Sequence, residues 1–304
     1  MSTTEPKPET DPGTGPEAGE GRVYCSERNG TETMVGTADH VGVWVLLEYK
    51  PQWKAKALAE NSLDPVTRRW LDDSLSALQA AGHRPRPQFV RQPDVDSDEV
   101  RLFVGMPGRV LTFSGAGYGF LQHLDLAEIV AQPSAYAAAS DPLYFVCTNG
   151  QRDQCCARYG LPSYAALRES VGGRAWQVTH LGGHRFAPNV LTFPQGALYG
   201  RVHPALMPEF VAQVESGALC FPQLRGRSWY PKPVQAAEAL LERSDLRLLH
   251  VSGDERAARV TFASPDGTLE VGVRQQTSPI EVLASCGDDV LKPVFPYRLE
   301  DPSP

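Results

Sequence analysis

Apolar runs separated by turn residues and by helical periodicity predict a mixed α/β fold for this chain. Residues 41–48 form a nearly continuous apolar run, which is typical of a buried strand. Asp64 and Pro65 precede apolar residues at helical spacing, and this predicts a helix that ends at Gly82. Further short runs predict strands at 88–91, 100–105, 109–114 and 118–121, and a helix over 124–131.

The next block of the chain has the clearest alternation of strands and helices. We predict a strand over 143–146, a loop that holds Cys155 and Cys156, a helix over 164–171 and a strand over 175–179. A hairpin (189–193 and 197–202) and a helix from Pro204 to about residue 215 follow. Cys147 and His180 then lie at the carboxyl ends of two strands, where sites form in open α/β sheets.

The remaining residues predict a small α+β unit, with a helix over 233–243 and antiparallel strands at 246–251, 259–263, 268–274 and 280–285. We therefore divide the chain into four segments. Residues 1–21 form an acidic tail that is too poor in large apolar residues to fold. An N-terminal α/β domain covers 22–140, a central domain covers 141–217 and a C-terminal α+β appendage covers 218–304.

Charge and apolar content exclude several classes of protein. The formal net charge is −7, so we expect no binding to nucleic acid or to an anionic membrane. No apolar run approaches the roughly 18 residues of a membrane-spanning helix, and no signal peptide precedes the first strand, which predicts a cytoplasmic protein. Six cysteines in such a chain indicate reduced thiols or metal ligands. We expect Cys25, Cys220 and Cys286 to be ordinary core or surface residues.

Two cysteines and two histidines provide the candidate chemistry. Cys147, Cys156, His180 and His184 lie within 38 residues, and the histidines are separated by Leu-Gly-Gly. Thiolate and imidazole together suit zinc or an iron–sulfur cluster. The two glycines, Gly182 and Gly183, permit positive φ and a close backbone approach, so that both rings can converge on one metal group.

The segments CTNGQRDQCC (147–156) and HLGGHRFAPN (180–189) together resemble the sucrase/ferredoxin-like family. The strand, turn and helix pattern over 190–204 is also similar to the closing hairpin of thioredoxin-like ferredoxins. The resemblance is close over 143–216 and looser over 22–140. It implies a thioredoxin-like domain with one 2Fe–2S cluster held by two cysteines and two histidines. In the family pattern the second cysteine follows the first by nine positions, which falls on Cys156 and leaves Cys155 as a neighbour.

This resemblance implies an electron carrier, and because the sequence shows no catalytic nucleophile or general acid pair, we expect a carrier more than an enzyme. Cys147 and Cys156 would bind one iron, and His180 and His184 would bind the other iron, nearer solvent. Neutral imidazoles raise the potential of such a cluster towards roughly −150 to +300 mV, and their second ring nitrogens couple electron uptake to proton uptake. The residues expected to surround the cluster are Thr148, Arg152, Cys155, Gly182, Gly183 and Arg185. The sequence identifies neither the redox partner protein nor the oligomeric state.

Three other functions are also compatible with the sequence. A structural zinc site would have the same two cysteines and two histidines as ligands. A thiol–disulfide oxidoreductase on a thioredoxin-like scaffold would need Cys-x-x-Cys at a helix start, whereas Cys155 and Cys156 are adjacent. A binding module without metal would use the N- and C-terminal regions.

Overall fold

The structure, a computed structural model, describes residues 23–300. Its helices are α1 (Cys25–Arg28), α2 (Pro65–Ala80), α3 (Leu126–Ala131), α4 (Gln154–Val171), α5 (Met207–Glu215) and α6 (Lys232–Leu241). Its first nine strands are β1 (Val43–Glu48), β2 (Pro85–Arg91), β3 (Glu99–Met106), β4 (Arg109–Ala116), β5 (Leu143–Cys147), β6 (Ala175–Val178), β7 (Val190–Phe193), β8 (Ala197–Tyr199) and β9 (Leu224–Arg227). The remaining strands are β10 (Arg247–Gly253), β11 (Ala257–Ser264), β12 (Gly267–Gln275), β13 (Ile280–Val282), β14 (Lys292–Val294) and β15 (Tyr297–Leu299).

A single nine-stranded sheet runs through the first three quarters of the chain, in the order β4-β3-β1-β2-β6-β5-β7-β8-β9. Strands β2 and β6 pair antiparallel, with Val90 opposite Val178, and this pairing joins the N-terminal strands to the central ones. The predicted boundary at 140/141 therefore falls within one continuous sheet. Whether the predicted segments are separate domains stays a prediction, and the tail 1–21 lies outside the described residues.

The sheet is buried on both faces, which explains the continuous apolar runs in its strands. Alternate residues of a strand point to opposite faces. In β1, Val45 and Leu47 pack into one core with α2 and α3, while Trp44 and Leu46 pack into another. In β5, Tyr144 packs against the α4 and α5 side, whereas Phe145 and Cys147 face the opposite core.

Strand β5, helix α4 and strand β6 form a parallel β-α-β unit, and β7, β8 and α5 complete it. This is the order that the sequence predicted, and the predicted α/β class is confirmed. One prediction within it was wrong, because Cys155 and Cys156 lie in the first turn of α4 and not in a loop. The Asp153 side chain caps this helix by accepting a hydrogen bond from the Cys155 N–H at 2.9 Å. Pro162 lies inside α4, where proline is rare, and this residue obscured the helical pattern.

The last quarter of the chain forms a four-stranded antiparallel sheet, β10-β11-β12-β15, and a hairpin of β13 and β14. The predicted helix and antiparallel strands are confirmed, although β9, β14 and β15 were not predicted. Helix α6 packs on this sheet through Val234 and Ala237. It is also tied to β9 by an ion pair between Arg227 and the fully buried Glu238.

Two smaller observations complete the fold. Residues 118–121 were predicted as a strand, but Gly119–His123 is a 3₁₀ helix that follows β4 directly. Within the part of the chain that the structure describes, no helix has the length and apolar content needed to cross a membrane.

Candidate metal centre

The two predicted cysteine ligands lie side by side in the interior. Cys147 is the last residue of β5, and Cys156 is in the first turn of the following helix. Their Sγ atoms are 3.6 Å apart, and the residues are 2% and 1% exposed. Both thiols are free. The β-α turn thus presents two sulfur atoms to one point in the core.

The two predicted histidine ligands follow the neighbouring parallel strand. Cys147 pairs with Val178 across β5 and β6, so His180 follows at the same edge of the sheet. The rings of His180 and His184 stack with centroids 4.6 Å apart, and His184 Nδ1 lies 3.6 Å from Cys156 Sγ. The structure therefore brings the four predicted residues together. We call Cys147, Cys156, His180 and His184 the Cys/His site.

The two glycines of the loop have the conformation that the sequence predicted. Gly182 has φ of +80° and Gly183 has φ of +67°. A Cβ atom at Gly183 would lie 2.7 Å from Arg225 Nη2, so this position has room for glycine alone. The tight left-handed turn folds the loop back and lets two rings four positions apart stack.

Arg225, which the sequence analysis missed, forms hydrogen bonds that support the loop between the two histidines. It is 2% exposed, and its Nη1 donates to the carbonyl of Gly182 and to Asn189 Oδ1, each at 2.8 Å. Nη2 donates to the carbonyl of Thr37 at 2.8 Å. Burial lowers the pKa of Arg225 to about 9, which leaves it protonated at neutral pH. A buried positive charge therefore lies next to the site.

Strand β2 fixes the other end of the loop. Gln88 Oε1 accepts hydrogen bonds from the His180 N–H at 3.0 Å and from the Thr179 hydroxyl. Phe89 donates its N–H to Thr179 Oγ1 at 3.2 Å. The backbone before His180 is thus hydrogen-bonded to β2. The pairing of β2 with β6 therefore helps to position the first histidine of the site.

His180 Nδ1 is buried and has no hydrogen-bond partner among residues 23–300. A buried polar atom without a partner costs about 1–3 kcal/mol, so this nitrogen needs a partner such as water or a metal ion. A cavity of about 340 Å³ lies beside this ring, with Gln88 and Thr179 on one side and residues 55–59 on the other. Both histidines are half-buried, whereas both cysteines are buried, so the histidine side of the site is nearer the surface.

Thiol and imidazole ionisation suits metal binding. Hydrogen bonding to Cys156 and the proximity of His180 hold the pKa of Cys147 well below its usual range. The same sulfur contact, with burial, raises the pKa of Cys156 well above its usual range. Burial, with the charge of His180, lowers the pKa of His184 and favours its neutral form, which is the form that binds metal. The pair of thiols therefore holds one thiolate readily, and binding of a metal group would release the second proton.

The other residues predicted around the site behave differently from one another. Thr148 is buried with its hydroxyl unpartnered among the described residues. Arg152 is exposed and lines the cavity beside His180. Arg185 forms an ion pair with the buried Glu32, with Nε 2.8 Å from Oε2, and so anchors the loop instead of facing the four residues.

Cys155 points away from the Cys/His site and joins a second group. The Sγ atoms of Cys25, Cys155 and Cys286 are 3.2–3.6 Å from one another, with Asp153 beside them. Cys25 and Cys286, which we expected to be ordinary core or surface residues, both contact Cys155. Contacts between segments more than 120 positions apart leave no local pattern in the sequence. We call Cys25, Cys155, Cys286 and Asp153 the three-cysteine site. Cys220 is buried elsewhere, with its thiol 2.9 Å from Gln223 Oε1.

The two groups differ in how tightly their donor atoms converge. In the three-cysteine site, all donor atoms lie within 4.8 Å of one another. Among the described residues this is the single set of three or more His, Cys, Asp or Glu that meets this criterion, so the Cys/His site is more widely spread. A lone tetrahedral zinc ion needs donors about 3.3–3.8 Å apart, whereas a two-iron group separates its ligands into two pairs.

Comparison with known proteins identifies a family. Residues 34–226 match the sucrase/ferredoxin-like family model, a range that includes the Cys/His site and the supporting Gln88, Asn189 and Arg225. Among solved structures, a thioredoxin-like [2Fe–2S] ferredoxin from Aquifex aeolicus is similar at 19% identity, over 31% of this chain and 97% of that one, with a TM-score of 0.27. No curated protein matches the chain significantly.

Proposed function

This chain belongs to the sucrase/ferredoxin-like family, and we propose that it carries electrons through one 2Fe–2S cluster held by Cys147, Cys156, His180 and His184. The observation that carries the proposal is the convergence of two buried free thiols with two stacked imidazoles, one of which has an unpartnered buried nitrogen. Such a cluster, when bound, accepts and releases one electron.

The spacing of the donors favours a cluster over the alternative zinc site. The two sulfur atoms lie 3.6 Å apart and His184 Nδ1 also lies 3.6 Å from Cys156 Sγ, but the four donors together are more spread than those of the neighbouring three-cysteine site. A four-donor set that is too spread for one tetrahedral ion suits two metal ions, each of which takes two ligands. We therefore assign the cysteine pair to one iron and the histidine pair to the other.

The surrounding residues give the two sides of the site different roles. Cys147 and Cys156 are shielded from water, and the buried guanidinium of Arg225 favours the added negative charge of the reduced state. His180 and His184 are half-buried and His180 borders a cavity, so the histidine side is where a redox partner would exchange electrons. The partner protein itself is not identified by these features.

The histidines also give the site a means of moving protons. An imidazole that binds a metal through one nitrogen keeps the other nitrogen for a proton. A more negative site attracts that proton more strongly, so electron uptake at this site would be accompanied by proton uptake. The potential would then fall as the pH rises through the pKa values of these nitrogens.

The test uses the full chain expressed with iron. We expect a reddish-brown protein with two iron and two acid-labile sulfide ions per chain, and an electron paramagnetic resonance signal after reduction. His180→Ala should change that signal, whereas His250→Ala, on the exposed strand β10, should leave it unaltered. A colourless protein that holds zinc at the Cys/His site, or a signal unaffected by His180→Ala, would contradict the proposal.

A further inference from the structure

Three cysteines from distant parts of the chain meet at the first turn of α4. We propose that Cys25, Cys155, Cys286 and Asp153 bind a structural zinc ion, separate from the Cys/His site and independent of the function proposed above. The ligands come from α1, from the start of α4 and from the segment between β13 and β14. These elements are more than 120 positions apart in the sequence.

The sulfur atoms already form the base of a tetrahedron. Cys25 Sγ is 3.5 Å from Cys155 Sγ, Cys155 Sγ is 3.2 Å from Cys286 Sγ, and Cys286 Sγ is 3.6 Å from Cys25 Sγ. Three thiolates on zinc at about 2.3 Å are about 3.8 Å from each other, so a small expansion of this triangle admits the ion. All three thiols are free.

Asp153 provides the fourth donor and has no cation of its own. Its side chain is buried at 5% exposure, and it forms no ion pair with a Lys, Arg or His within residues 23–300. It accepts hydrogen bonds from the Ser285 hydroxyl at 2.7 Å and from the Cys286 N–H at 3.0 Å. Together with the Cys155 N–H, which Asp153 also accepts, these donors hold the ionised carboxylate beside the three thiols, where a divalent cation would complete its coordination.

The residues around the site hold the ligands in place before an ion binds. The amide of Asn29 donates to the carbonyls of Cys25 and Leu283, each at 2.7 Å, and its oxygen accepts the Leu283 N–H at 3.1 Å. The Ser26 hydroxyl donates to Cys155 Sγ at 3.3 Å, as outer groups commonly do for metal-bound thiolates. Asn29 therefore joins the two segments that carry Cys25 and Cys286.

The donor set favours zinc and a structural role. Three soft thiolates favour zinc, a carboxylate is also an accepted zinc ligand, and four protein donors leave no open position, as in structural sites. Calcium or magnesium would require oxygen ligands. The ion would fasten the N-terminal helix and the C-terminal segment to the turn that presents Cys156. The region after residue 226, outside the family match, would thereby support the Cys/His site.

The first experiment measures metals in the full chain purified from medium that contains both iron and zinc. We expect one zinc ion per chain. Zinc K-edge absorption should give three sulfur neighbours at about 2.3 Å and one oxygen at about 2.0 Å. A shell of two sulfur and two nitrogen atoms would place zinc in the Cys/His site and overturn this proposal, and the proposed function with it. Absence of zinc, or a disulfide among Cys25, Cys155 and Cys286 in non-reducing peptide mapping, would overturn this proposal alone.

The second experiment uses matched variants. Cys286→Ser should lower the zinc content at least about ten-fold and leave the iron content unchanged, while Cys286→His, which keeps a metal donor, should retain zinc. Cys220→Ser, at a buried cysteine outside both sites, should change neither metal. Unchanged zinc in Cys286→Ser would overturn the proposal. Loss of iron from His184→Ala with zinc retained would support it, because the two metals would then be held separately.

Discussion

Cys155 and Cys156 are neighbours in one helical turn, yet their side chains face two groups of residues that differ in character. The Cys/His site takes its residues from the carboxyl ends of two adjacent strands and their loops, and half of its donors are neutral and partly exposed. The three-cysteine site takes its residues from distant segments, and all of its donors are anionic when bound. The comparison teaches that the site we propose for electron exchange keeps its two histidines near solvent, whereas the site we propose for zinc joins three distant segments and has Cys286 alone half-buried among its donors.

The largest expected effect comes from replacing each of the two adjacent cysteines by serine, in separate variants. Cys156→Ser should abolish the visible absorbance and lower the iron content at least about ten-fold, because a hydroxyl is a poor ligand for iron–sulfur clusters. Cys155→Ser should leave the iron content and the absorbance intact and lower the zinc content instead. Iron, zinc and sulfide analysis of the two purified variants measures both effects.

The same two variants also test whether the two sites are separate. If Cys155→Ser loses iron to the same extent as Cys156→Ser, then the two sites do not act separately. Cys220→Ser is again the matched control, since it removes a buried thiol that belongs to neither site.

A second variant tests what happens when an anionic donor replaces a neutral one in the Cys/His site. His180→Cys adds one thiolate to the Cys/His site and should lower its reduction potential by about 100 mV, given the difference between histidine-ligated and all-cysteine clusters. It should also flatten the dependence of the potential on pH between about 6 and 10, because one titratable ring nitrogen is lost. A redox titration followed by visible absorbance at several pH values tests this. An unchanged potential and an unchanged slope would show that His180 is not a ligand.

The smallest effect concerns the support of the histidine loop. Arg225→Met removes the donors to the carbonyls of Gly182 and Thr37 and should destabilise the loaded protein by about 3 kcal/mol, which corresponds to a Tm lower by about 5–10 °C. Arg259→Met, at an exposed arginine of β11, should change stability by less than about 0.5 kcal/mol. Thermal unfolding followed by tryptophan fluorescence compares the two. Equal Tm values would show that Arg225 does not hold the loop.

Most helices and strands could be predicted from local sequence patterns. Apolar runs identified β1, β5 and β6, and the Asp-Pro pair identified the start of α2, because burial and helix capping act within a few residues. The start of α4 was missed, since Pro162 and the polar residues of its first turn concealed a helix that Asp153 caps.

The sequence by itself determined the α/β class and the candidate donors, because Cys147, Cys156, His180 and His184 are close in the chain and flank recognisable strands. Only the tertiary structure decided which buried cation supports the histidine loop and that Cys25 and Cys286 meet Cys155. Those contacts depend on the sheet that joins β2 to β6 and on packing between segments more than 120 positions apart. Side-chain direction in a helical turn and long-range packing leave no spacing pattern in the sequence, so the three-cysteine site becomes visible only after the chain is folded.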